Sequence, residues 1–118
     1  MTTSLLGKWG EALAAEHLRK NKFRIISANY RSRYGEIDLI AEDKKNIIFV
    51  EVKLRKNSDF GSACEFVTPS KQKKLRATAE IWISENETKK ELRFDVIEIY
   101  APEGISGKYT INQIENAF

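Results

Sequence analysis

The stretch from Gly35 to Lys53 restricts this chain more than any other. Two runs, Gly35-Glu-Ile-Asp-Leu-Ile-Ala41 and Ile47-Ile-Phe-Val-Glu-Val-Lys53, alternate with period two around a polar break at Glu42-Asp-Lys-Lys-Asn46. Period-two alternation marks half-buried strands, and the break has turn composition, so the stretch reads as a β-hairpin. Directly opposed residues in such a hairpin share a face. If Ala41 opposes Ile48, then Asp38 opposes Glu51 and Glu36 opposes Lys53. Ile37, Leu39, Val50 and Val52 then share the other face. A slip of one residue sets Asp38 against a valine and scrambles both faces, so the pattern selects the first register.

That register brings two carboxylates to about 5 Å, where like charges destabilise a sheet. Such a pair suggests a bound cation. Oxygen donors on one face suit a hard ion, Mg²⁺ or Mn²⁺, with water and substrate phosphate completing the shell. Lys53 points the same way as Glu51, where it can orient or deprotonate an attacking water or stabilise charge on phosphorus. The alternative is a solvated face with one Glu–Lys pair. An isolated Glu-x-Lys favours that alternative, and an Asp38 placed opposite by pattern weighs against it.

The 118 residues suffice for a single domain, residues 1–118, with one core. A hydrophobic fraction of 42% with 31% charged residues is ordinary for a globular chain. The net charge of +3 permits a nucleic-acid partner without requiring one. Cys64 is the one cysteine and His17 the one histidine, which rules out an internal disulfide and a Cys/His zinc site within one chain. A lone cysteine, no signal peptide and no run of 18 apolar residues point to a cytoplasmic protein without a membrane partner.

Residues from Ser4 to about Lys20 read as a helix. It carries one stripe of Leu5, Leu6, Trp9 and Leu13 and a second of Ala14, Ala15 and Leu18. Glu11 heads the second stripe, so its carboxylate belongs at the edge of the buried surface; the plain alternative is a surface acid near the positive helix end. Gly7 and Gly10 weaken the helix and leave room for a close backbone or a phosphate. Asn21 is the expected C-cap, and Phe23 to Tyr30 the first strand. Arg31, Arg33 and Tyr34 follow in the connection, where basic residues beside tyrosines can hold phosphates and stack bases. Residues from Leu54 to Gly61 read as a loop that includes Arg55. Thr68-Pro69 starts a second helix, with Thr68 as N-cap, running to about Ser84. Its inner face is Leu75, Ala79, Trp82 and Ile83, with Gln72 at the head and Lys71 beside it. Lys71, Lys73, Lys74 and Arg76 oppose the macrodipole, so their clustering points to an anionic partner rather than to helix stability. Leu92 to Tyr100 reads as a buried strand, parallel to the one ending at Lys53 by a right-handed crossover. Its acid, Asp95, is read as paired with a basic residue for structural reasons. Pro102 to Lys108 is turn-rich, and the apolar ends of 109–118 are expected to pack back on the domain.

Helix, three antiparallel strands, helix and strand make an α/β fold with a mixed sheet flanked by helices. With an aspartate on the second strand and Glu-x-Lys on the third, this α-β-β-β-α-β order resembles the restriction-endonuclease-like PD-(D/E)XK nuclease core. More specifically, an ordered set of motifs resembles the YraN-like family of bacterial proteins. The set is Gly10-Glu11, Asn29-Tyr30-Arg31, Gly35-Glu-Ile-Asp-Leu-Ile40, Phe49-Val-Glu-Val-Lys53, Arg55, Thr68-Pro69 with Lys71-Gln72, and Arg93-Phe-Asp-Val96. That family is regarded as endonucleases similar to archaeal Holliday-junction resolvases. The resemblance implies that Asp38 and Glu51 hold Mg²⁺ or Mn²⁺, that Lys53 acts on the water, and that Glu11 completes the site. Glu36 stands behind Asp38, and Lys71 or Gln72 reaches in from the second helix.

The leading expectation is a metal-dependent endonuclease acting on DNA, at branched or unpaired forms. Its catalytic residues are Glu11, Asp38, Glu51 and Lys53. Arg31, Arg33, Arg55, Lys71, Gln72, Lys73 and Lys74 contact nucleic acid. Two alternatives stand beside it: a nucleic-acid-binding module without catalysis, and a protein-interaction subunit whose acids are structural. A homodimer would suit paired cuts across a junction, but the sequence contains no sign of one.

Overall fold

A computed structural model describes residues 5–56, 67–105 and 107–118. The elements follow as α1 (Leu5–Lys20), β1 (Arg24–Ser32), β2 (Gly35–Glu42), β3 (Asn46–Arg55), α2 (Pro69–Glu85), β4 (Glu91–Tyr100) and β5 (Thr110–Ile114). The strands form one sheet in the order β1-β2-β3-β4-β5. All neighbours are antiparallel except β3 and β4, which run parallel and are joined through α2. This is the expected α-β-β-β-α-β core of restriction-endonuclease-like type, extended by β5. Cys64 and the loop expected through Gly61 lie outside the described residues from 57 on, and β3 itself continues through Arg55, two residues beyond Lys53.

One face of the sheet packs against α1. Ala14, Ala15 and Leu18 meet Leu39, Ala41, Ile48, Val50, Ile97 and Ile99. The second stripe is buried; of the first, Trp9 and Leu13 are partly buried against the same core, with Trp9 edge-on to Tyr109, while Leu5 is 75% exposed. Gly10 is buried, and a Cβ there would stand 3.8 Å from Leu54 and Ile99, so it faces the sheet rather than a phosphate. The other face packs against α2, where Leu75, Ala79 and Trp82 meet Ile37, Ile40, Phe49 and Val96. Thr78, absent from the expected face, is fully buried and places its hydroxyl 2.8 Å from that of Ser32.

The helix ends follow their local chemistry. Thr68 is extended and accepts the Lys71 N–H, with Pro69 in the first turn, as expected. At the end of α1, Asn21 occupies the cap, Lys22 adopts φ 69°, and Phe23 N and Lys22 N donate to the Leu18 and Arg19 carbonyls. This is a Schellman closure with a lysine in the left-handed position that glycine usually takes. Asp95 is fully buried and is held by Arg93 through two 2.9 Å bonds, by Gln113 Nε2 at 2.9 Å and by Asn116 N at 3.2 Å. Its structural reading stands, and β5 supplies part of its cage. Hydrogen bonding to Asp95 raises the Arg93 pKa further.

Lys22→Gly removes the cost of a side chain at positive φ. We expect a gain of about 0.5–1 kcal/mol, offset in part by the added freedom of the unfolded glycine, and a Tm higher by a few degrees in thermal melts.

Candidate active site

The hairpin register is as expected where it is paired: Ala41 opposes Ile48, Ile40 opposes Phe49, and Leu39 opposes Val50. The ladder stops there. Instead of continuing, β2 turns aside, and Asp38 Oδ2 accepts the Val52 N–H at 2.8 Å. On its other side the pairing of β2 with β1 steps from Ala28↔Leu39 to Tyr30↔Ile37, passing over Asn29 and Asp38. Asn29 has φ 54°, a left-handed conformation that Asn tolerates better than most residues. The kink corrects the register beyond Leu39: Asp38 and Glu36 do not pair with Glu51 and Lys53, and Glu36 opposes Arg31 of β1 instead. Ile37 does not share a face with Leu39; it joins Ile40, Phe49 and α2, because the alternation resets at Asn29 and Asp38.

The break leaves Asp38 beside Glu51 rather than in a flat cross-strand pair with it. Glu51 follows Phe49 on the α2 side and is 7% exposed. Lys71 Nζ stands 2.8 Å from its Oε1, and Lys53 Nζ 3.9 Å from the same oxygen. Burial, then the Glu51 charge, pushes the Asp38 carboxyl up to about 7, against the pull of the Val52 N–H. Burial, then the neighbouring Lys71 ammonium, lowers the Lys53 pKa despite Glu51. Lys71 feels the same burial, but its hydrogen bond to Glu51 and the charge there win, and its pKa is raised. Two lysines thus flank one carboxylate unequally, and Lys53 holds its proton less firmly.

Glu11 reaches the same end of the sheet from α1. The Asn29 amide lies between two carboxylates, and with its NH₂ turned toward them it donates to Glu11 Oε1 at 3.2 Å and Glu36 Oε1 at 2.8 Å. The Glu11 charge also contributes to the raised Asp38 pKa. Among the described residues no three acidic, histidine or cysteine side chains converge into a ready cage, so Glu11 stands at the rim of the Asp38–Glu51 pair. An ion of the Mg²⁺ class needs only one or two carboxylates, with water and phosphate filling the rest. The donor set fits it: two carboxylates with oxygen ligands, one of them already drawing a cationic group to 2.8 Å.

The expected nucleic-acid residues divide. Lys73 and Lys74 are exposed on α2, and Arg33 stacks on Tyr34 in the β1–β2 turn, 4.9 Å from the ring centroid. Gly35 in that turn comes within 3.7–3.8 Å, measured from an added Cβ, of Lys74 and Thr78, so turn and helix form one basic rim. Arg31 lies 3.6 Å from Glu36, and Arg55 bonds Glu98 at 2.9 Å with both side chains mostly buried. Gln72 turns away and donates to the Val67 carbonyl, so Lys71 is the α2 residue that reaches the acids. Sequence reasoning quoted Asn29 only within the Asn29-Tyr30-Arg31 motif and gave it no place at the site.

Comparison with known proteins places this chain. The model of the uncharacterised protein family UPF0102 matches residues 10–99. The chain belongs to this family. It is 46% identical over 114 residues to a UPF0102 protein of Syntrophomonas wolfei, covering 96% of each chain. A UPF0102 protein of Vibrio parahaemolyticus is 45% identical over 95% of this chain and 90% of its own length. One from Alkaliphilus oremlandii is 42% identical over 96% and 97%. Asp38, Glu51, Lys53, Lys71 and Glu11 all fall inside the span matched to UPF0102. No helix among the described residues is long and apolar enough to cross a membrane.

The raised Asp38 pKa has a definite sign in stability. Between 3.8 and about 7 the folded chain keeps a proton that the unfolded chain has released. Stability in chelator should therefore be greatest below that window and fall as pH rises through it. Asp38→Asn keeps an acceptor for Val52 N–H and removes the charge, so it should flatten this dependence and raise stability at pH 8 by on the order of 1 kcal/mol. Adding excess Mn²⁺ should reverse the order, because only the wild type gains RT ln(1 + [L]/Kd). Thermal melts in EDTA and across a Mn²⁺ titration check both; a variant less stable under every condition would mean that Asp38 is a structural acid.

Proposed function

We propose that this UPF0102 protein is a metal-dependent endonuclease that hydrolyses phosphodiester bonds of DNA, acting at branched or unpaired forms. The observation that carries the reading is the convergence of Asp38, Glu51 and Lys53 where β2 leaves β3, beside a basic rim. A structural ion pair would not need a second, half-buried acid whose carboxyl is pushed up to about 7 by burial and then by the Glu51 charge.

Asp38 and Glu51 would hold Mg²⁺ or Mn²⁺, which when bound supplies positive charge to the phosphate and makes water more acidic. Glu11 would act from the rim, through Asn29 and its charge on Asp38. Lys53 stands beside the attacking water. Its neutral amine accepts the water proton, and its ammonium offsets charge gathering on the phosphate oxygens. The water oxygen forms the new bond to phosphorus, the bond from phosphorus to the leaving sugar oxygen breaks, and that oxygen takes a proton from solvent. Lys73, Lys74, Arg33 and Tyr34 would hold the backbone and stack an unpaired base.

Cleavage of duplex, single-stranded and four-way-junction DNA in Mn²⁺ tests this, with variants purified identically. Lys53→Ala should keep Mn²⁺ binding and lose cleavage by at least about 100-fold, the scale of general acid–base catalysis. Glu51→Ala should lose both. Equal cleavage by wild type and Lys53→Ala would refute the assignment, and salt-sensitive binding without cleavage would favour a non-catalytic binding module.

Binding should weaken steeply with salt, since the contacts are mainly Lys and Arg to phosphate. Neutralising Lys73 and Lys74 together should reduce the slope of log K against log salt by roughly two if each contacts one phosphate. An unchanged slope would remove α2 from the binding surface.

A further inference from the structure

We infer that Lys71 is an internal counter-cation of the Asp38–Glu51 site, displaced when a divalent ion binds and then free to hold the substrate phosphate. This rests on the metal-dependent reading above and adds the link between ion binding and nucleic-acid binding.

Lys71 is the third residue of α2, where a positive charge opposes the helix dipole, so the helix gains nothing from it. Helical side chains lean toward the N-terminus, and this one leans over the sheet end to reach Glu51. Its Nζ stands 2.8 Å from Glu51 Oε1, whose side chain is 8% exposed, while the Lys71 side chain remains 39% exposed. The carboxylate is therefore fixed and the lysine has room to leave. Lys53 contacts the same oxygen only at 3.9 Å, so Lys71 is its main cationic partner among the described residues. An ammonium and a divalent ion cannot both take that oxygen at contact distance, because their mutual repulsion at such spacing is large in a partly dry site. Ion binding must move Lys71. Its four-carbon stem can carry the ammonium outward to the exposed face bearing Lys73 and Lys74, where an anionic backbone would meet it. The exchange couples the two ligands: the ion releases a phosphate-binding cation, and the phosphate, by linkage, favours the ion.

Lys71→Met removes the competing charge, and Lys71→Gln keeps a hydrogen-bond donor to Glu51 in case the first variant leaves that acid too destabilised to fold. Mn²⁺ binding without nucleic acid is measured by calorimetry and by the rise in Tm on adding the ion, with Glu51→Gln as the site control. DNA binding is measured by anisotropy of a labelled four-way junction in Ca²⁺ and in EDTA. Both Lys71 variants should bind Mn²⁺ more tightly, by roughly two- to tenfold, the worth of a half-exposed ion pair expressed as an equilibrium constant. They should start from a lower Tm in EDTA and gain more on adding Mn²⁺. The increase in junction affinity that Ca²⁺ gives the wild type should shrink in both. If the wild type binds Mn²⁺ through Glu51 but the Lys71 variants bind it equally or more weakly, the counter-cation role is wrong while the metal site stands. If no variant and no wild type binds the ion, both fail together.

Discussion

Everything at the candidate site depends on one substitution of partners in the sheet. Where a further rung of the β2–β3 ladder would lie, the Asp38 carboxylate takes the Val52 N–H. A backbone donor left without a partner there would cost on the order of 1–3 kcal/mol, so the side chain that satisfies it is strongly held. The bond fixes Asp38 at the fork between two strands, close enough to Glu51 for their charges to oppose one another. Asn29, left-handed on the facing strand, lets β1 follow the same bend, and its amide ties the bend to Glu11 and Glu36. A polar fork of this kind is poorly suited to stability and well suited to holding a ligand.

Much of this was legible in the residues. Period-two alternation placed both strands and fixed Ala41 against Ile48, and Thr68-Pro69 placed the start of α2. The ordered motifs led to the family now shown. The register reasoning failed beyond Leu39, for Ile37 and for the pairs Asp38–Glu51 and Glu36–Lys53, because it assumed that alternation continues to the end of β2. Alternation is a property of regular backbone, and it resets where β2 bends at Asp38, beside the left-handed Asn29 of β1. The choice between Lys71 and Gln72 needed their side-chain contacts, which the cap does not fix: Lys71 reaches Glu51. Gln72 instead closes on the Val67 carbonyl. β5 was hidden because its five residues do not alternate strictly; the sign that something must cover that edge was the buried Asp95, which needs more donors than Arg93 alone provides.

Arg55 pairs with an acid of a neighbouring strand, and the largely exposed Arg31 does so more loosely. Both sit in sequence beside motifs that suggest phosphate contact, yet Arg55 bonds Glu98 in a mostly buried pair and Arg31 lies against Glu36. Their partners come from a facing strand and are invisible to composition. Lys73, Lys74 and Arg33 have no comparable acid across from them in the pairs described, and they lie along one rim.

The same reasoning about charge bears on what the site can accept. β3 is paired with β4 along its whole length, from Asn46↔Glu91 to Arg55↔Tyr100, so Glu51 and Lys53 stand on firmly held backbone. Asp38 and Lys71 approach from separate elements, one at the fork and one on a flexible stem. With both acids ionised, these two carboxylates and two ammonium groups sum to zero, with the Glu11 charge beyond them at the rim. Adding a divalent ion leaves an excess of two positive charges in a partly desolvated cleft, a state that a phosphodiester with one negative charge relieves and a neutral ligand does not. On the proposed metal-dependent reading, the arrangement would select an anionic ligand only once the ion is in place, and the side chain with room to follow that charge outward is Lys71.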